Sequence, residues 1–178
     1  MLGGKFKTYL SILVLLMCVF SCKENNRSSL LFDMENVEGN YFISQNSERI
    51  SNSLAQSSDY SKSGDYSAKI DSINPYALSY NFNDLKKGNE IIISVWEKTG
   101  GARGYLKLVD KEKNILAVKR SRPKKTQSQW VLINLSYTVE EDSKEIKFFI
   151  HNENTISAYY DDLKVELLDK SRKPVFKT

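Results

Sequence analysis

Between Leu30 and Leu168 the chain is cut into short runs rich in Val, Ile, Leu, Tyr and Phe, separated by Gly, Asn, Asp and Ser. That rhythm suits strands and turns and little else. The runs are Leu31–Glu35, Tyr41–Ser44, Ile50–Gln56, Tyr66–Ile73, Tyr76–Phe82, Glu90–Lys98, Gly104–Val109, Ile115–Lys119, Trp130–Val139, Glu145–Asn152 and Ala158–Leu168. No stretch holds apolar residues at i, i+3, i+4 and i+7 through three turns, so the helical crossovers that parallel strands require are missing. An antiparallel sandwich or barrel follows. With 178 residues, 40% of them hydrophobic, and only 3 Pro and 8 Gly, the chain is too apolar for disorder and too poor in Gly and Pro for a fibre. Its length suits one domain around one core.

Alternation assigns faces. Ile91, Ile93 and Val95 oppose Ile92, Ser94 and Trp96, and Val131, Ile133, Leu135 and Tyr137 oppose Trp130, Leu132, Asn134 and Ser136. Likewise Ile146, Phe148 and Ile150 oppose Lys147, Phe149 and His151. The β-branched sets belong to the core. The faces carrying Trp96, Trp130, Phe149 and His151 mix rings with polar groups, as a half-wetted surface does.

Residues 1–21 stand apart. Lys5 and Lys7 precede an almost unbroken apolar run from Tyr9 to Phe20. A bilayer-spanning helix needs roughly 20 apolar residues, so this shorter run reads as the centre of a secretory signal. It ends in Val19-Phe20-Ser21-Cys22. This resembles the bacterial lipobox, in which a small residue precedes a Cys that is acylated and becomes the mature N-terminus, although Phe20 is bulkier than the usual occupant. The resemblance implies a lipid on Cys22 that anchors the protein to a membrane, with 22–29 as a polar tether. Cys18 would leave with the signal, so neither Cys supplies a thiol to the folded part. Losing Lys5 and Lys7 lowers the net charge from +4 to +2, too little for bulk attraction to nucleic acid, and no nucleic-acid partner is expected. Lys23 stands where many inner-membrane lipoproteins carry Asp, which points to the outer membrane. Lys23-Glu24 resembles the short signal of surface-exported lipoproteins, which would place the domain on the cell surface.

Four further segments resemble the carbohydrate-binding-module jelly roll, the galactose-binding-domain-like β-sandwich. They are Phe32-Asp33-Met34-Glu35 with Gly39, the loop and strand from Asp59 through Gly64 to Ser67, Ser94-Val95-Trp96 with Trp130 opening a later strand, and Tyr159-Tyr160-Asp161-Asp162-Leu163-Lys164-Val165. The resemblance spans 30–169, leaves 170–178 as a tail, and implies an all-β antiparallel sandwich. It also implies a structural calcium ion held by the carboxylates of Glu35, Asp59 and Asp161 or Asp162 with a backbone carbonyl near Lys62. Calcium takes six to eight oxygens and favours such a mixture of carboxylates and carbonyls. Asp161 shares parity with Leu163 and Val165 and is expected to point inward, Asp162 outward.

Sugar binding would need rings that stack on pyranose faces beside amides and carboxylates that hold hydroxyls. The ring candidates are Trp96, Tyr105, Trp130 and Tyr159, with Tyr137 on a core face, and their polar partners are Asn134, His151, Asn152 and Glu97. Trp96 and Trp130 serve packing as readily as binding, and a lone imidazole is more often a hydrogen-bonded surface group than a ligand. The expected function is a non-catalytic envelope lipoprotein that binds a polysaccharide or glycan. The rival is a structural lipoprotein on the same fold, whose partners are other envelope proteins. Burial of Trp96 and Tyr105 would favour the rival. A glycosidase is not expected, because no motif selects a catalytic pair from the 22 acids and one His excludes mechanisms that need several. Gly100-Gly101 with Gly104 reads as a hairpin turn. The basic run from Lys119 to Lys125 reads as a solvated loop, with anionic glycans or lipid head groups as its functional alternative.

Overall fold

The computed structural model describes residues 27–99, 104–120, 130–152 and 155–169. They form thirteen strands and one 3₁₀ turn. In chain order the strands are β1 (Arg27–Phe32), β2 (Val37–Glu38), β3 (Tyr41–Ile43), β4 (Arg49–Ser51), β5 (Gln56–Ser57), β6 (Ser67–Ile70), β7 (Tyr76–Leu85), β8 (Glu90–Thr99), β9 (Gly104–Asp110), β10 (Ile115–Arg120), β11 (Val131–Thr138), β12 (Ser143–Asn152) and β13 (Ala158–Leu168). Residues Ser53–Ala55 make the 3₁₀ turn.

Two antiparallel sheets face each other across the core. One runs β11-β8-β13-β6-β5, with β1 pairing the other half of the β13 edge that β6 uses. The second runs β10-β9-β12-β7, and a small sheet β2-β3-β4 flanks β7, tied to it by a Ser51 Oγ to Ser79 Oγ hydrogen bond of 2.8 Å. The inward sets are those that alternation marks: Ile91, Ile93 and Val95 from β8, Ile133 and Leu135 from β11, and Ile146, Phe148 and Ile150 from β12 are all buried. This is the β-sandwich jelly roll of the sequence reading.

One end of the sandwich is closed by a polar tie. The Tyr160 hydroxyl donates to Glu97 Oε1 at 2.7 Å, both residues are buried, and Gly104 of the opposite sheet lies against them. Any Cβ at Gly104 would overlap the Tyr160 hydroxyl and the Glu97 carboxylate, so glycine is what lets the sheets approach there. Burial, with the Glu97 charge adding to it, holds the Tyr160 phenol well above its usual range.

Two expectations need correction. The segment 22–29 does not stay a tether throughout, because Arg27 to Ser29 open β1 in register with Leu168, Leu167 and Glu166. The Arg27 guanidinium also donates to Glu166 through Nε at 3.1 Å, so the chain is already docked there. The basic run is not wholly a loop either. Lys119 and Arg120 end β10, while its remainder lies outside the described residues, as do the signal, Cys22, the turn at Gly100-Gly101 and the tail 170–178.

Candidate functional site

The residues singled out from the sequence fall on two outer faces, not one. Register places Trp96 opposite Leu132 and Asp161 on the outside of the six-stranded sheet, where Tyr159 stands opposite Lys69 and Lys98. Trp130, half-buried, precedes β11 at the position that continues the Leu132 face. Tyr105 and His151 stand directly opposite each other on the outside of the four-stranded sheet. A single surface built from all five is therefore excluded.

On the six-stranded face, Tyr60 meets Tyr159 edge to face at 4.9 Å between centroids. Lys62 Nζ lies 4.7 Å from the Trp96 ring centre, Lys98 Nζ 4.3 Å from that of Tyr60 and Lys69 Nζ 5.8 Å from that of Tyr159. Trp96 therefore packs under a lysine and offers no open platform. Asp59 Oδ2 accepts from Lys69 Nζ and from the Tyr159 hydroxyl, each at 3.0 Å, and these bonds hold its carboxyl below the usual range.

The expected calcium ligands gather around the 60–66 loop, with different chemistry from that implied. Glu35 Oε1 accepts the backbone N–H groups of Asp65 at 3.0 Å and Tyr66 at 2.9 Å. Asp161 Oδ2 accepts those of Lys62 at 2.7 Å and Ser63 at 3.2 Å, and its Oδ1 accepts that of Asp162 at 2.8 Å. Ser63 Oγ donates to Asp162 Oδ1 at 2.7 Å. Lys62 thus presents its N–H where a cation would need its carbonyl, and Asp59 is taken by an ammonium. Among the described residues no three His, Cys, Asp or Glu side chains are placed to hold a metal ion. This donor set does not fit calcium. It forms a hydrogen-bonded clasp between β1's exit, the loop and β13.

Asp161 is fully buried, but not by pointing into the core. A register irregularity between Asp161 and Lys164, with Asp162 at φ 48°, lets Tyr160 and Leu163 both face inward. Asp161 is left on the Trp96 side, covered by the loop. Burial raises its carboxyl to about 6, against the pull of the three N–H donors.

The four-stranded face is built differently. Three rungs cross its strands in the order β7, β12, β9, β10: Tyr76–His151–Tyr105–Arg120, then Ser79–Phe149–Lys107–Val118, then Asn81–Lys147–Val109–Ile115. At strand spacing each rung spans roughly 14 Å. The Tyr76 ring stacks on the His151 imidazole at 4.5 Å with 19° between planes, lies 6.0 Å from Phe149, and is 61% exposed. His151 lies 6.4 Å from Tyr105 on its other side. Tyr105 does not offer the open ring expected of it: it is 5% exposed, with Lys107 Nζ 5.0 Å and the Arg120 guanidinium carbon 5.2 Å from its centre.

Tyr76 and Lys107 were not among the sequence candidates, and Arg120 entered only as part of the basic run from Lys119 to Lys125. Straight alternation puts Tyr76 with the core residues Leu78 and Phe82, but a bulge between Phe149 and His151 in the β12–β7 pairing turns it outward. Lys107 and Arg120 could have been found from the parity of Tyr105 in β9 and from a β9–β10 hairpin register.

No family model and no curated relative matches the sequence. Solved structures do match the fold. The CBM22-1 xylan-binding domain from Paenibacillus barcinonensis Xyn10C superposes with a TM-score of 0.52 at 13% identity, over 83% of this chain and 98% of that one. The C-terminal family 22 carbohydrate binding module of Clostridium thermocellum Xyn10B does so with a TM-score of 0.51 at 15% identity, over 80% and 95%. The domain thus has the β-sandwich fold of a carbohydrate-binding module.

Proposed function

We propose that this protein is a non-catalytic glycan-binding module, and that the glycan lies across the outer face of β7, β12, β9 and β10. The observation that carries this reading is the exposed Tyr76 ring, stacked on His151 beside Phe149. The Tyr76 ring keeps most of its apolar area open to water, and a pyranose face covers such a platform well. Asn81, farther along the outer side of β7 and exposed, supplies an amide for sugar hydroxyls. The two structural neighbours, a xylan-binding domain and a carbohydrate binding module, support a carbohydrate as the ligand class.

The buried Tyr105 favours the rival structural reading at that position, as does Trp96 under its lysine. Tyr76, two positions along the same rung as Tyr105, restores the platform. A lipid on Cys22 would hold the module at the outer membrane, on its surface if Lys23-Glu24 acts as an export signal. The described chain supports this arrangement, because it enters at Arg27 beside Leu168, the end of β13 remote from Tyr160 and Gly104. Strand rise puts that entry about 25 Å from the Tyr105 end, so an anchor there would present the rings away from the bilayer.

Affinity electrophoresis of the full chain through gels carrying a panel of neutral and acidic polysaccharides tests the reading. Retention by at least one polymer is expected, with the Tyr76→Ala variant weakened roughly tenfold, about 1.4 kcal/mol. Retention by none, or retention unchanged in Tyr76→Ala, would leave the structural lipoprotein as the better reading.

A further inference from the structure

We infer that the glycan held on this face is an acidic polysaccharide, one carboxylate of which sits between Lys107 and Arg120. This deepens the glycan reading and rests on it. Lys107 and Arg120 approach the same Tyr105 ring, from the second rung of β9 and the first rung of β10. Stacking on an aromatic face fixes a cation and strips part of its water. Two cations brought to one ring also repel each other, and an anion between them relieves both effects.

Nothing among the described residues already plays that part. The ion pairs of the described chain join Arg27 and Lys164 to Glu166, Arg49 to Glu38, Lys69 to Asp59 and Lys86 to Asp142. None uses Lys107 or Arg120. The three rungs contain no Asp or Glu; the next outward position on β12 that does is Glu145, opposite Asn83. By strand rise it lies about 20 Å from His151, beyond the roughly 8 Å over which charge carries at physiological salt.

The chemistry of the two halves of the rung is therefore divided. Tyr76 and His151 offer a stacking surface, and the Tyr105 ring, covered by its cations, offers none. A neutral sugar chain would use only the first half. A uronate chain uses both, its ring on Tyr76 and a carboxylate forming charge-assisted hydrogen bonds with the ammonium and guanidinium groups.

Isothermal titration of the full chain with polygalacturonate and with the same polymer after chemical reduction of its carboxyl groups tests the inference. The double variant K107Q/R120Q removes the two cations. The variant K111Q/K113Q removes equal charge from the β9–β10 turn, at the far end of the same sheet. The wild type and K111Q/K113Q are expected to bind polygalacturonate alike, K107Q/R120Q at least tenfold more weakly, and raised salt is expected to narrow the gap. The reduced polymer should not distinguish wild type from K107Q/R120Q. Equal affinity for the two polymers, or equal losses in the two double variants, would overturn the inference. If a neutral polymer binds through Tyr76 while Lys107 and Arg120 prove indifferent, only the inference fails. Binding of neither polymer, nor of any other glycan in the panel, overturns the glycan reading as well.

Discussion

Gly64 and Glu35 form a unit in which each residue explains the other. Gly64 sits at φ +58°, and a Cβ there would run into the Glu35 carboxylate that accepts the N–H groups of the next two residues. Gly39 has the same φ with open space around it. Gly64→Ala should therefore cost the left-handed backbone penalty of about 1–2 kcal/mol and a further loss from displacing Glu35, whereas Gly39→Ala should cost the first alone. Urea unfolding of the two variants measures the difference, and equal losses would mean that Glu35 holds nothing. Asp161 adds a pH signature. Its folded carboxyl titrates near 6 because burial opposes the charge, above the 3.8 of the free group. The folded state therefore binds the proton more tightly, so this contribution to stability is full below about pH 4 and is lost as pH rises through 6. Asp161→Asn cannot titrate. The melting temperature of the wild type relative to Asp161→Asn should fall between pH 4 and 6.5; a constant offset would show that the carboxyl ionises freely.

Among the elements, the strands and their buried faces were legible because alternation in β8, β11 and β12 is unbroken where one side meets the core. Two irregularities defeated the same logic at the positions that matter most. In β7 an extra residue sends Tyr76 out to join His151, and in β13 the step from Asp161 to Lys164 moves Asp161 under the 60–66 loop. A bulge reverses every face beyond it, and a one-residue shift leaves no compositional mark. The loop acids were legible as a cluster, since Glu35, Lys62, Asp161 and Asp162 do meet. Their partners were not, because which backbone group turns toward a carboxylate depends on loop dihedrals that side-chain identity does not encode. The clasp carries an expectation of its own: with N–H donors in place of carbonyl ligands, excess chelator should leave the melting temperature unchanged. A fall of several degrees on chelation, reversed by added calcium, would restore the metal.

At the scale of the whole molecule, the sandwich separates its roles by sheet. The six-stranded sheet receives the entering chain at β1 and carries the clasp, with a lysine against Trp96 and another against the half-exposed Tyr60. The four-stranded sheet carries the open rings and the two cations on Tyr105. Both tryptophans lie on the first of these sheets, which is why two residues that dominate the sequence as sugar platforms contribute nothing to the proposed site. The most direct measurement is backbone amide hydrogen exchange of the full chain with and without a galacturonate oligosaccharide. The expected result is slowed exchange confined to the amides of β7, β12, β9 and β10 around Tyr76, His151, Tyr105 and Arg120. Protection centred instead on the 60–66 loop and Trp96, or none at saturating oligosaccharide, would contradict it.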